Sequence, residues 1–232
     1  MADDSDEWTV VKTKTKYGRK PVTNSQSYVN VQLQGIGSGM QSRNIMQSIM
    51  DSHLKYHSSK DTNRNSFDAS FMELVNILAE SLCRSHYVAT MIKETKDIIV
   101  ANCRYSEEHQ RCNKELNIVV LGIGNYLGSY SSFIQLVMVV VLSRALSSTA
   151  TPICVSIFDP LLTIEECRLC RDILSFTMEM ENKRGKVVAS STSIVTMFYM
   201  PHCPYQIYNN ILWANWHNLD RILIIGNRYV DY

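Results

Sequence analysis

The distribution of apolar residues divides this chain into two parts. From residue 1 to about residue 65, large apolar residues are sparse, and Ser, Asn, Gln, Lys and Gly fill most positions. From Ser66 onward, apolar residues recur at regular spacing. A segment with few large apolar side chains cannot bury enough surface to offset the entropy of ordering it. We therefore predict a disordered N-terminal tail over residues 1–65 and a folded domain over residues 66–232.

Two helices are predicted at the start of the folded domain. Ser66 is a candidate N-cap of the first, and Asp68 falls in its first turn, where the helix dipole favours a negative charge. The second extends to about Ile99, and the polar segment from Asn102 to Glu115 is predicted to be a connection. The apolar residues of the first helix share one face by their spacing: Phe67, Phe71, Leu74, Val75, Leu78 and Leu82.

Beyond residue 115, short apolar runs alternate with segments of helix length. Runs rich in Val and Ile are typical of strands buried on both faces of a sheet. The alternation predicts an α/β fold, a Rossmann-like and mostly parallel sheet flanked by helices. The predicted strands are 117–121, 153–158, 176–180, 194–199 and 222–225, and the predicted helices are 129–146, about 164–174 and 204–216.

Composition and charge narrow the class of protein. The chain is 45% apolar and 19% charged, as globular proteins are, and its formal net charge is +1. Nothing in this balance indicates a nucleic-acid or membrane surface, so we expect neither as a direct partner. The longest apolar stretch, 133–142, is about half the length that spans a bilayer. Seven cysteines and an acidic N-terminus argue against a secreted disulfide scaffold, so a soluble protein of a reducing compartment is expected.

Glycines and polar side chains follow the ends of four predicted strands. In an open parallel sheet these ends share one crevice, which is where ligands bind. The alternative is that each residue only caps nearby backbone. Three asparagines in helix 204–216, where they are poor helix formers, also suggest specific hydrogen bonds. The candidate ligand-binding residues are Gly122, Gly124, Asn125, Asp159, His202, Cys203, Asn209, Asn210 and Asn227.

The glycine loop departs from the dinucleotide-binding pattern. Leu127 occupies the place of the third glycine, and Gly128 comes one position later. The loop could still present N–H groups to a phosphate or another anion. Its layout, with Asp159 after the second strand, is also similar to that of class I methyltransferases. A methyltransferase-like or nucleotide-binding enzyme using Gly122–Gly128 is therefore the alternative to a binding protein.

Two cysteine motifs raise the question of a metal or haem. Cys167 and Cys170 share a helical face with Ile164, Ile173 and Leu174, and no second such pair completes a zinc site, so core packing is the preferred interpretation. His202 and Cys203 could ligate haem iron, or Cys203 could be a reactive thiolate. The alternative is a rigid turn between two prolines. No chain order of nucleophile and base is evident, so no catalytic residue is predicted.

Several segments resemble the sensitivity-to-red-light-reduced family over residues 115–232: Gly122–Asn125, Phe158–Pro160, Phe198–Cys203, Tyr208–Trp216 and Ile222–Asn227. The start of the chain, Glu7–Val10, is also similar to animal members. The segment Glu181–Lys186 departs from the family by being less acidic.

The resemblance implies a regulator rather than an enzyme, with protein partners, in cytoplasm and nucleus. It implies a role in circadian-clock input and clock-gene expression, and for animal members in regulating haem biosynthesis. The leading hypothesis is a non-enzymatic regulator that binds a partner or a small ligand in the strand-end crevice.

Overall fold

The described part of the chain begins with two helices. The computed structural model describes residues 64–108, 115–147, 153–190 and 193–226, so the predicted tail lies outside it apart from its last two residues. Helix α1 (Arg64–Cys83) buries all six residues of the predicted face, together with Ala79. Ser66 lies within this helix and not at its cap.

Helix α2 (His86–Glu108) is longer than predicted. The connection predicted from Asn102 is wrong for its first seven residues, which continue the helix. Residues 102–108 include Arg and Glu, which are good helix formers, so this segment can extend the helix without contributing an apolar face.

Five parallel strands form one sheet, which confirms the predicted α/β fold. They are β1 (Glu115–Leu121), β2 (Ile153–Phe158), β3 (Thr177–Met178), β4 (Ser193–Met200) and β5 (Ile222–Gly226). The sheet order is β3-β2-β1-β4-β5, the order of the first five strands in doubly wound dinucleotide-binding sheets. The register pairs Leu121 with Phe158 and Val120 with Tyr199, so the carboxyl ends of β1, β2 and β4 lie side by side.

Successive residues of β1 pack into two different apolar clusters, because side chains along a strand point alternately to the two faces of the sheet. Ile118 and Val120 pack in the larger cluster with α1 and with helix α3 (Tyr130–Ser147). Val119 and Leu121 pack in the smaller cluster with Tyr208 of helix α5 (Tyr205–Ala214). Helix α3 is long and apolar enough to cross a bilayer, but more than half of it is buried inside the protein, as in a core helix.

A short helix follows β2 and differs from the predicted face. Helix α4 (Ile164–Arg168) runs directly into a π-helical turn, Leu169–Ile173. Cys170 is fully buried, as predicted, but Ile164 is 91% exposed, so its place on the apolar face is wrong. Ile164 is the first helical residue after the N-cap, and the widened π turn changes the direction of later side chains relative to it.

An ion pair joins the first helix to the fourth. The guanidinium of Arg168 donates to both carboxylate oxygens of Asp68, at 2.5 and 3.0 Å, and also contacts Glu165. The Arg168 side chain is only 8% exposed. Removing Asp68 would cost Arg168 two largely buried, charge-assisted hydrogen bonds, so the pair fixes α1 against α4.

Candidate functional site

A cavity of about 420 Å³ lies at the carboxyl ends of β1, β2 and β4. The loops that follow these strands line it, together with residues 179–187, which we name the rim loop. This is the edge of the sheet at which the sequence predicts a crevice. Five of the predicted residues line the cavity: Gly122, Gly124, Asp159, His202 and Cys203.

Two glycines of the loop after β1 allow the chain to pass close to its neighbours. Gly122 and Gly124 have φ values of +70° and +74°, in the left-handed region that favours glycine. A Cβ on Gly122 would lie 2.8 Å from the Sγ of Cys203, and a Cβ on Gly124 would lie 3.0 Å from the Oγ of Ser132. Both positions therefore favour glycine by conformation, and Gly122 also by its close contact with Cys203.

Three N–H groups of the glycine loop are already bonded to side chains of the protein. Gly124 donates to Oδ2 of Asp159 at 2.7 Å, and Gly128 donates to Oδ1 of Asn125. Leu127 donates to Oε1 of Glu166 at 2.7 Å. These groups are therefore not free to bind a phosphate, which weighs against a nucleotide site built on them.

Asp159 has a structural partner for each oxygen. Besides the bond from Gly124, its Oδ1 accepts the N–H of Leu161 at 2.7 Å. An acid at this strand end holds ribose hydroxyls in dinucleotide-binding folds. Here the same carboxylate links the turn after β2 to the loop after β1.

Glu166 was not predicted as part of this region. Its carboxylate is fully buried and accepts N–H groups from Leu127 and Thr163, both at 2.7 Å. Thr163 and Glu166 form a complete capping box at the start of α4. The pattern of Thr followed three residues later by Glu could have identified the box, but not its bond to the glycine loop.

His202 and Cys203 have different environments. His202 is exposed, and its Nε2 is hydrogen-bonded to Nε2 of Gln135 on α3. Cys203 is only 5% exposed. Burial, with a smaller effect from the charge of Asp159, raises the pKa of the Cys203 thiol to about 11.

The residues of this pair do not fit a thiolate-ligated haem. A thiol with a raised pKa stays protonated at neutral pH, and only the thiolate is a good metal ligand or nucleophile. Within the described ranges, no group of three or more His, Cys, Asp or Glu side chains is placed to hold a metal ion.

The rim loop carries the charged residues of the cavity mouth. Lys183 pairs with Glu179, with 2.9 Å between Nζ and Oε2. Arg184 has a φ of 49°, unusual for a residue other than glycine, and is followed by Gly185 at +78°. In the sequence, Glu181–Lys186 stood out only for its departure from the family, and nothing there indicated that this segment borders the cavity.

Asn210 and Asn215 bond the segment 184–189 and do not line the cavity. Asn210 donates from Nδ2 to the carbonyl of Arg184 at 2.7 Å. Asn215 is buried and bonds both the Val187 carbonyl and the Ala189 N–H. Asn125 and Asn209 are also outside the cavity lining, and Asn227 lies outside the described residues.

Known proteins give the family context. The SRR1 domain family matches residues 105–232. An SRR1-like protein of Mus musculus is 30% identical over 160 residues, which are 68% of this chain and 58% of the relative. An SRR1-like protein of Drosophila melanogaster is 27% identical over 162 residues, 68% of this chain and 52% of the relative.

A plant protein is also similar. Protein SENSITIVITY TO RED LIGHT REDUCED 1 of Arabidopsis thaliana is 27% identical over 120 residues, 51% of this chain and 42% of the relative. The chain thus spans about half the length of the curated relatives it matches. No solved structure matches it. Because the family match covers more than half of the sequence, this chain belongs to the SRR1 domain family.

Proposed function

We propose that this protein is a non-enzymatic regulator that acts by binding a small ligand, or a segment of a partner protein, in the strand-end cavity. The observation that carries the proposal is the cavity of about 420 Å³ at the edge of the sheet where α/β proteins bind ligands. Its reactive groups support binding over catalysis. Asp159 is bonded to backbone, and the Cys203 thiol is protonated at neutral pH.

The family supports the regulatory part of the proposal. The plant relative is named for a reduced sensitivity to red light, which is a signalling property. We extend the proposal to circadian-clock input and clock-gene expression, with regulation of haem biosynthesis as a second output. Such a role would place the protein in cytoplasm and nucleus, with protein partners.

A cavity-filling variant tests the proposal. Val187 lines the cavity, whereas its neighbour Val188 does not and is 63% exposed. Val187→Trp should fill the cavity, and Val188→Trp is the matched control. The full chain is purified from its own cells, and the small molecules and proteins that it retains are identified by mass spectrometry.

We expect at least one compound or partner to be retained by the wild type and by Val188→Trp but lost from Val187→Trp. The same variant should change the period or amplitude of a clock-gene reporter in cells where it replaces the wild type. Identical retained molecules in all three proteins would contradict the proposal.

The enzyme alternative has its own test. The full chain is titrated by calorimetry with S-adenosylmethionine and with nicotinamide nucleotides. Tight binding of either that is lost in Gly124→Asp would contradict a non-enzymatic role and favour a cofactor site on the glycine loop.

A further inference from the structure

We propose that the cavity takes an apolar molecule carrying one anionic group, and that this group pairs with Arg184. The inference rests on the proposed function, because it names the class of ligand for the same cavity. Much of the lining is apolar, which suits the body of such a molecule: Val119, Leu121, Phe158, Val187 and Ile207.

The other charged side chains of the lining are either acidic or already paired within the protein. The two oxygens of Asp159 accept backbone N–H groups, from Gly124 and Leu161. Lys183 is hydrogen-bonded to Glu179, which raises the pKa of its ammonium, and the charge of Glu181 raises it further. Lys183 therefore has two carboxylates nearby, so it is not an unpaired cation available to a ligand.

Arg184 differs from Lys183 in this respect. Among the residues that the structure describes, Arg184 lines the cavity, and its side chain is exposed with neither an ion pair nor a hydrogen bond. A guanidinium offers paired N–H donors that match the oxygens of a carboxylate, sulfonate or phosphate. It is the side chain in this lining best suited to an anion.

The backbone fixes the position of Arg184. Its N–H donates to Oδ1 of Asn182 at 3.0 Å, and its carbonyl accepts from Asn210 on α5. The next residue, Gly185, lies so close to α5 that a Cβ there would be 2.9 Å from the carbonyl oxygen of Ile207. The backbone at Arg184 therefore needs little reorganisation on binding, and only its side chain must be ordered.

The glycine loop after β1 is a poor place for the anion. The N–H groups of Gly124, Leu127 and Gly128 already bond to side-chain oxygens. Asp159, which bonds the glycine loop and also lines the cavity, would repel a second negative charge. The anionic group is therefore directed to the rim loop.

Two probes of the same shape test the inference. The full chain is titrated by calorimetry with 2-naphthoate, an apolar carboxylate, and with 2-naphthylmethanol, its neutral counterpart. The variants are Arg184→Gln and, as a matched control, Arg144→Gln. Arg144 is exposed in the last turn of α3 and is not part of the cavity lining. Val187→Trp serves to locate the bound probe.

We expect the wild type and Arg144→Gln to bind the carboxylate at least about tenfold more tightly than the alcohol, the effect of one charged hydrogen-bonded pair. In Arg184→Gln the ratio should fall below about twofold. Val187→Trp should weaken the binding of both probes.

Other results would overturn the inference in distinct ways. Equal affinity of the wild type for both probes would refute the anion contact and leave cavity binding in place. An unchanged preference in Arg184→Gln would assign the contact to another cation. Binding of both probes that is insensitive to Val187→Trp would place them outside the cavity. Failure of both to bind would refute the apolar ligand class, while the molecules retained from cells still decide the proposed function.

Discussion

Oε1 of Glu166 accepts the backbone N–H of Leu127 at 2.7 Å, across 39 positions of sequence. The other oxygen of the same buried carboxylate accepts the N–H of Thr163 at 2.7 Å. One side chain thus fixes the glycine loop after β1 to the first turn of α4. The shape of the cavity wall depends on this link.

Replacing Glu166 should destabilise the protein strongly. Glu166→Ala leaves two N–H groups without their acceptors, and each such group costs about 1–3 kcal/mol. We expect the free energy of unfolding, measured by urea titration, to fall by about 2–5 kcal/mol. Glu73→Ala, at an exposed position of α1, should change it by less than about 0.5 kcal/mol. Similar losses in both variants would contradict the role of the buried carboxylate.

Gly122 and Cys203 should show energetic coupling. Gly122→Ala adds a Cβ at 2.8 Å from Sγ of Cys203 and also forces alanine to a φ of +70°. The strained backbone conformation of this alanine lowers the free energy of unfolding by about 1–2 kcal/mol, whether or not Cys203 is also replaced. Cys203→Ala removes the contacting sulfur, so the double variant should lose at least about 1 kcal/mol less than the sum of the two single losses. Additive losses in urea unfolding would show that the contact is not made.

The thiol of Cys203 should react slowly in the folded protein. Burial raises its pKa from 9.0 to about 11. At pH 8 the thiolate fraction is therefore about 100-fold lower than in the unfolded chain, and alkylation by iodoacetamide should be slower by a similar factor. Peptide mass spectrometry of native and urea-unfolded protein measures both rates at the same residue. Equal rates would mean that the thiol is not buried.

The same pKa difference predicts how stability depends on pH. Below about pH 9 both states keep the proton, so Cys203 contributes no pH dependence. Between about pH 9 and 11 the unfolded chain releases the proton while the folded protein retains it, and the free energy of unfolding should fall. Cys203→Ala should show a smaller decline over this interval than the wild type. An unchanged decline would exclude Cys203 as its source.

Asn215 should hold the end of the rim loop. Its side chain bonds to the Val187 carbonyl, the Ala189 N–H and the Ile211 carbonyl, at 2.6–2.8 Å. Asn215→Ala should lower the free energy of unfolding by about 2–4 kcal/mol and speed amide hydrogen exchange at Ala189. The exposed Asn218 provides a control, since Asn218→Ala should leave exchange at Ala189 unchanged. Unchanged exchange in Asn215→Ala would show that other contacts hold the loop.

The regular elements were largely predictable because their patterns are local. The apolar run of β2 has the bounds that the structure shows, 153–158. The six apolar residues of α1 follow a helical period, and all are buried. Once the strands were known to be parallel, topology placed Gly122, Asp159 and Cys203 at one edge without any knowledge of their contacts.

The rest of the site depends on contacts between distant residues, which no local pattern encodes. The rim loop reaches the cavity because Asn210 and Asn215, more than twenty positions away, bond its backbone. The exposed position of Ile164 follows from a helix of one turn that continues as a π turn. A periodicity argument assumes a regular helix and therefore misplaced it.

The packing of α1 has a practical consequence for recombinant work. The family match starts at residue 105, yet the ring of Phe71 in α1 contacts Phe133 and Tyr126 at centroid distances of 5.9 and 6.3 Å. A truncated fragment that starts at the family boundary would expose the apolar side of α3 to water and would be prone to aggregate. The packed core thus extends upstream of the segment that the family model matches, and expression should begin upstream of Arg64.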